Sequence, residues 1–398
     1  MTRHAAVVVL LLAGCARAAE PSAEAAPPLP GHAPTCPADC PACNRLFRAS
    51  LDAYCAAVAR RPTQAPMPVN MTWAALQTSS AGVLGLVLLG EGTTPARGPH
   101  APVFRKLSAY VQSTCQAYVR QPTYHRTWPL SFGLLMMAEQ HRAVPSAALK
   151  ARMQEAAAVL QTGLVPEKGW RHGLEKPPKG YGPFIATTIW AAAALADASE
   201  QGVRLNDETL AACRRTLQQS LDAKHGGASY FAKQRTAKSV GRTSGVLWAL
   251  NRWFGVSAPR LDPSVRFVLD RVEYAPHGHA SGMMNFGWAA LAAANFGDDF
   301  HHRFWQVHRA TLFSARDPSG GFTVQEWQDF GFSGANLKPH KPPANTTWPD
   351  PMYGNGWATA WMLLAWQAGR GKSVLVRTPA LAETTPPPDV PPLPWTDP

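Results

Sequence analysis

Charge is scarce in this chain, and acid is scarcer than base. Only 16% of its 398 residues are Asp, Glu, Lys or Arg, against 46% hydrophobic. That excludes disorder for the bulk of the chain and leaves enough apolar side chain for a large buried core. The acid deficit, 26 Asp+Glu to 38 Lys+Arg, gives a formal charge of +12. Such a balance favours anionic partners such as acidic glycans, phosphates or lipid headgroups. Also missing are a groove-reading motif, an RNA-binding signature and any dense Lys/Arg run, so no nucleic-acid partner is expected. After the first residues, no apolar run reaches transmembrane length uninterrupted.

What is present begins with "MTRHAAVVVLLLAGCARAAEPS". A cationic Arg3 and an apolar run from Ala5 to Ala13 read as a secretory signal over residues 1–14. Leu12, Ala13, Gly14 and Cys15 resemble the bacterial lipobox. This implies a lipidated Cys15, a membrane anchor and an exported cell-envelope protein; ordinary cleavage near Ala18 or Ala19 is the alternative. A tether with an Ala/Pro-rich spacer is expected over 15–43, a folded body over 44–376 and a Pro-rich tail over 377–398. In "CPADCPAC", Cys36, Cys40 and Cys43 are spaced like the cluster-binding loop of radical SAM enzymes. An oxidising compartment and the lack of a following strand-rich barrel argue against that chemistry. Together with Cys55 on the next helix, they read as two disulfides or as a four-thiolate structural zinc site. Cys115 and Cys213 read as buried thiols, and no cofactor is expected.

Six segments share one design, a polar or aromatic turn followed by a helix rich in Gly, Ala, Thr and Trp. They start at Trp73, Thr127, Gly180, Ser239, Ser281 and Tyr353. Each is apolar nearly all round and must be buried on more than one side, so the six form an inner layer. Between them run amphipathic stretches, from Val103, Ala148, Asn206 and Pro263, that form an outer layer. In the third, Asn206 is placed to cap a helix with Asp207 and Glu208 in its first turn.

These paired helices, with Gly/aromatic turns such as "DAKHGGASYF" and the QW-like "SARDPSGGFTVQEW", resemble the α/α toroid of squalene cyclases and protein prenyltransferase β subunits. The resemblance implies an all-α toroid of about six helical hairpins, its inner-helix N-termini facing a central cavity. The family's chemistry does not carry over. The DxDD acid of the cyclases is absent, and the nearest run, Gly297 to Phe300, follows its inner helix instead of preceding it. The Asp-x-Cys zinc pair of the transferases is absent too, since Cys213 sits in "AACRRT" on an outer helix.

Candidate ligand-binding residues gather where inner helices begin. The loop "KHGGASYFAKQRTAKSVGR" carries Lys224, Lys233, Arg235, Lys238 and Arg242 with no carboxylate after Asp222. With Arg171, His172, Lys176 and Lys179 it gives a positive mouth, in which Arg242 and Thr243 stand nearest a helix N-terminus. At equivalent ends lie Trp128, Tyr181, Phe286, Trp288, Tyr353 and Trp357, suited to stacking on sugar rings or enclosing an apolar chain, and His279, Asn285 and Asn355 are further ligand-binding candidates. His277 and His279 precede one inner helix while Asp298, His301, His302 and His308 follow it. A helix of that length separates the two groups by roughly 20 Å, too far for one metal. Two readings follow: a non-catalytic scaffold binding an anionic or lipid-like ligand or an envelope protein partner, or a carbohydrate-active lyase or hydrolase on acidic glycans. A lyase needs a Tyr or His base beside a carboxylate-neutralising Arg, for which Tyr230, His225 and Arg242 have the right chemistry. A hydrolase needs paired carboxylates, for which Glu326 and Asp329 are the candidates.

Overall fold

A computed structural model describes residues 40–60, 71–121, 125–174, 182–232, 238–278, 281–318, 320–322, 331–333, 338–340 and 354–376. All of them belong to the second of two units into which the chain divides, Pro34–Pro398. The signal, Cys15, Cys36, the spacer and the tail lie outside the described residues.

Twelve α-helices and one short antiparallel ribbon, β1 (Gly331–Ser333) with β2 (Lys338–His340), make up the described part. Six helices form the inner layer: α2 (Met71–Gly90), α4 (Thr127–Ala143), α6 (Ile185–Glu200), α8 (Val240–Phe254), α10 (Gly282–Asn295) and α12 (Gly354–Gly369). Each packs on the next, and α12 returns to pack on α2, so the ring closes. Around it stand α1 (Pro41–Arg60), α3 (Ala101–Arg120), α5 (Ala147–Thr162), α7 (Thr209–Ser220), α9 (Asp262–Leu269) and α11 (Asp298–Ser314). This is the expected α/α toroid of six hairpins. One outer helix separates successive inner helices, so all the inner helices run the same way and their N-termini share one face.

Composition explains the layering. Every residue of α6 from Ile185 to Ala198 is buried, as is every residue of α10 from Gly282 to Ala293. By contrast, α3 buries Phe104, Leu107, Val111, Cys115 and Tyr118, one stripe at helical spacing. Between inner helices, a glycine on one lets the next approach closely. A Cβ on Gly82 would stand 3.0 Å from the Phe132 carbonyl oxygen, on Gly245 2.7 Å from the Trp288 indole, and on Gly287 2.5 Å from the Trp361 indole. The rings so admitted meet on the axis. Trp190 lies 4.6 Å from Phe132, 5.3 Å from Trp248, 5.8 Å from Trp288 and 5.3 Å from Trp361, centroid to centroid. All five rings are buried, so aromatic side chains fill the middle of the toroid.

Three local expectations change. The first outer helix begins at Pro41, inside the segment expected as tether, and takes in Cys43. The α7 helix begins at Thr209, with Glu208 and not Asn206 at its N-cap position and no side-chain cap; Gln161 Oε1 of α5 accepts from the main-chain amide of Asn206 and the hydroxyl of Thr209, at 2.7 and 2.9 Å. Cys55, expected in a disulfide or a zinc site, is buried and forms no disulfide among the described residues. Burial, with Asp52 nearby, pushes its pKa up to about 12, which keeps it protonated and unreactive. Cys40 and Cys43 are also buried.

Candidate functional site

The N-terminal face of the ring carries one loop design repeated before three of the inner helices, α6, α8 and α12. Before α6, the amide of Trp170 donates to Thr188 Oγ1 at 3.1 Å and its carbonyl accepts from the Phe184 amide at 2.9 Å. Before α8, the amide of Ala228 donates to Thr243 Oγ1 at 2.8 Å and its carbonyl accepts from the Ser239 amide at 3.4 Å. Before α12, the Phe322 amide donates to Thr359 Oγ1 at 3.0 Å. A threonine in the opening turns of each of these inner helices therefore hooks the preceding loop. The loops share their turn chemistry as well. Asp222 Oδ1 accepts from the amides of Lys224 and His225, and Asp317 Oδ1 accepts from that of Gly321. Gly169 takes φ +87°, and a Cβ there would lie 2.0 Å from Thr188 Oγ1.

Two residues past the hooked position, the loops before α6 and α8 reach over the neighbouring inner helix, and the loop before α10, whose Ala275 amide bonds the Val272 carbonyl instead of a threonine, does the same at His277. The carbonyl of His172 accepts from the Thr127 amide at the start of α4, at 2.9 Å, and that of Tyr230 from the Ile185 amide at the start of α6, at 3.0 Å. The carbonyl of His277 accepts from Ser239 Oγ, the N-cap of α8, at 3.3 Å. Ser239 and Ser281 also accept from the amides of Arg242 and Met284. The protein itself thus engages amides that an anion at a bare helix N-terminus would use, and leaves recognition on this face mainly to side chains.

Those side chains form a continuous row. His125 meets His172 at 5.2 Å, His172 meets Phe184 at 4.6 Å, and Phe184 stacks on Tyr230 at 5.6 Å. Arg242 places its guanidinium 5.4 Å from the centre of the Tyr230 ring. Trp128 closes the α4 side, its indole N–H donating to His172 Nδ1 at 2.8 Å. An indole N–H can only donate, so His172 Nδ1 is an acceptor and its ring proton belongs on Nε2. His125, Trp128, His172 and Tyr230 are half-buried and Phe184 is buried. Burial lowers the pKa of His125. The row therefore offers stacking faces, neutral imidazoles, one phenol and one cation.

The structure sorts the sequence candidates. Arg242 belongs to the row, although it is buried and its Nε donates to the Ala228 carbonyl at 3.3 Å. Thr243 is the loop hook, its hydroxyl donating to the Ser239 carbonyl at 2.6 Å. Lys238 is buried in an ion pair with Asp222 at 2.7 Å. Burial works to raise the Asp222 pKa, but Lys238 and the His225 amide outweigh it and hold the carboxyl below its usual value. Asn285 and Trp288 are wholly buried, Asn285 against Gly241 of α8 and Trp288 in the axial cluster. Trp357 is buried with its indole N–H on Ser281 Oγ at 2.7 Å. Tyr181, Arg235, His279, Tyr353, Glu326 and Asp329 lie outside the described residues, as does the side chain of Asn355. His308 packs between Phe286 and Phe304. Among the described residues no cluster of His, Cys, Asp and Glu is placed to hold a metal. Sequence reading passed over Phe184 and His125, and missed the equivalence of His172, Tyr230 and His277. The signal was there in the spacing after "GW", "GGA" and "YA", but only the hydrogen bonds align the three loops.

No family profile matches the chain, and no curated protein matches it in sequence. Solved structures do match in fold. An inactive variant of an α-1,6-mannanase of Salegentibacter, in complex with α-1,6-mannotriose, is 9% identical with a TM-score of 0.53, over 83% of this chain and 99% of that one. A polysaccharide lyase is 10% identical with a TM-score of 0.51, over 84% and 99%. At such identities the likeness establishes a shared α/α toroid and nothing finer.

Proposed function

We propose that this protein is a carbohydrate-active enzyme that cleaves an acidic glycan at the N-terminal face of its ring, by elimination. The observation that carries the reading is the row His172–Phe184–Tyr230–Arg242, where stacking faces, a phenol and a guanidinium stand side by side. The net positive charge and the toroid shared with a mannanase and a polysaccharide lyase add support. The squalene cyclase and prenyltransferase likeness enters only as fold kinship.

In this reading Arg242 faces the uronate carboxylate and stabilises the charge that builds there as the α-proton leaves. Tyr230 takes that proton. The freed electron pair becomes the new carbon–carbon double bond, the bond to the glycosidic oxygen breaks, and the departing oxygen takes the proton that Tyr230 has just accepted, which returns Tyr230 to its basic form. His172, with its proton on Nε2, donates to a sugar oxygen, and Trp128 supplies apolar surface, while the buried Phe184 backs the His172 and Tyr230 rings. Elimination is favoured over two-carboxylate hydrolysis because, among the described residues, the row carries a phenol and a guanidinium and no carboxylate.

Export and lipidation of Cys15 remain part of the proposal, and the mass of the mature N-terminus decides them. For the reaction, the mature protein is incubated with a panel of polyuronates and sulfated uronate glycans while the absorbance of the unsaturated uronate is followed. We expect cleavage of one class, reduced at least about 100-fold in Tyr230→Phe, with the fold intact by circular dichroism. Absence of both binding and cleavage across the panel would return the protein to a scaffold reading.

A further inference from the structure

We infer that the ligand-bearing face spans three successive repeats, with His277 as an outer subsite equivalent to His172 and Tyr230. The natural ligand is then a carbohydrate chain and not a single sugar. This rests on the acidic-glycan reading above and adds to it the length of the ligand and a residue that reads it.

The three residues occupy one structural position. Each carbonyl bonds the start of the inner helix behind it: His172 to α4, Tyr230 to α6 and His277 to α8. Each follows by two a residue that is wholly buried, namely Trp170, Ala228 and Ala275. Each is itself half-buried. Trp170 and Ala228 are hooked by a threonine of the inner helix, whereas the amide of Ala275 bonds the Val272 carbonyl in a turn; in all three loops the chain returns to the surface two residues on, where it crosses the neighbouring helix start.

Chemistry at the position repeats as well. Histidine, tyrosine and histidine are all planar rings with a polar edge, able to stack on a sugar face and hydrogen-bond its hydroxyls at little cost in side-chain entropy. Tyr274 flanks His277 at 5.9 Å, so the outer position also has an aromatic neighbour, as His172 has Phe184. Packed helices sit about 8–10 Å apart, so an arc over three helix starts spans roughly 16–20 Å. That is far longer than a monosaccharide.

The test is a titration with size series of oligogalacturonates and of oligomannuronates, from monomer to octamer, on the wild-type protein and His277→Ala. In the wild type, affinity should rise with length and then level off. In His277→Ala the gain on the longer members should fall by about tenfold, while the dimer binds unchanged. His277→Gln, closer in size and polarity, gives the same readout if His277→Ala loses its fold. Binding that does not depend on length, or a loss in His277→Ala equal at every length, overturns the inference and leaves the acidic-glycan reading standing. No binding of either series overturns both.

Discussion

At the scale of single residues, the threonine hooks decide whether the N-terminal face has a shape at all. Ala228 is wholly buried, and its amide has Thr243 Oγ1 as acceptor. Thr243→Val keeps the volume and the β-branch but strands that amide, which should cost about 1–3 kcal/mol in urea unfolding. Ser244→Ala is the matched control, because the Ser244 hydroxyl only returns to the Val240 carbonyl one turn back. Its loss should cost under about 1 kcal/mol. Equal costs for the two would mean that the hook is incidental. This position also marks a limit of sequence reading. Thr243 was singled out correctly as a residue next to the helix start, but a hydroxyl there reads alike as ligand contact and as loop anchor until its partners are known.

At the scale of elements, the C-terminal ends of the inner helices hold an unusual charge arrangement. Arg142, in the last turn of α4, pairs with Asp197 and Glu200 of α6 and lies 3.5 Å from Glu139 of its own helix. Arg252 of α8 reaches Glu200 at 3.4 Å and lies over the Trp253 ring at 3.8 Å. Arginines suit helix C-termini, where the dipole is negative, and buried carboxylates do not. Asp197 is therefore pushed well above the usual carboxylate range, by burial first and by Glu139 next, against the pull of Arg142 and Arg252, with Glu200 adding to the rise. A raised folded-state pKa gives a stability contribution that is whole below the unfolded value near about 4 and is lost as pH rises through the folded value. Wild-type stability should accordingly carry a falling component between about pH 4 and the raised pKa, and Asp197→Asn should remove it. Thermal midpoints measured across that range give the answer, and an unchanged slope in the variant would sink the idea. The sequence shows these charges only as scattered letters. They meet because helices adjacent in the ring end side by side.

At the scale of the molecule, closure of the ring is the decisive event, and it joins the beginning of the body to its end. Gln367 Nε2 donates to the Val87 carbonyl at 2.8 Å and to Glu91 at 3.0 Å, and Arg370 meets Glu91 at 3.1 Å. Arg370 is nearly buried, its pKa lowered by burial against the pull of Glu91. Glu91→Ala leaves that cation buried without its carboxylate and should cost about 3 kcal/mol by chemical denaturation, part of it recovered in the Glu91→Ala, Arg370→Met double variant. A null effect would mean that the α2–α12 seam is held by its apolar contacts alone.

Much of this architecture could be read in advance. Inner helices that are apolar all round and outer helices with one apolar stripe differ in pattern, and pattern is a local property that burial imposes residue by residue. The six-fold repetition with Gly, Ala and Trp therefore determined the fold class and the identity of all six inner helices. What only the tertiary structure decided is which helix-start residues face outward. Trp288 and Trp357 stand in the same sequence context as Trp128 and share its chemistry, yet they are buried while Trp128 is half-buried in the row. Axial packing sorts them, because the middle of a six-helix ring has room for a few large rings and the remainder stay at its rim. That sorting depends on distances between residues far apart in the chain, which no local pattern encodes.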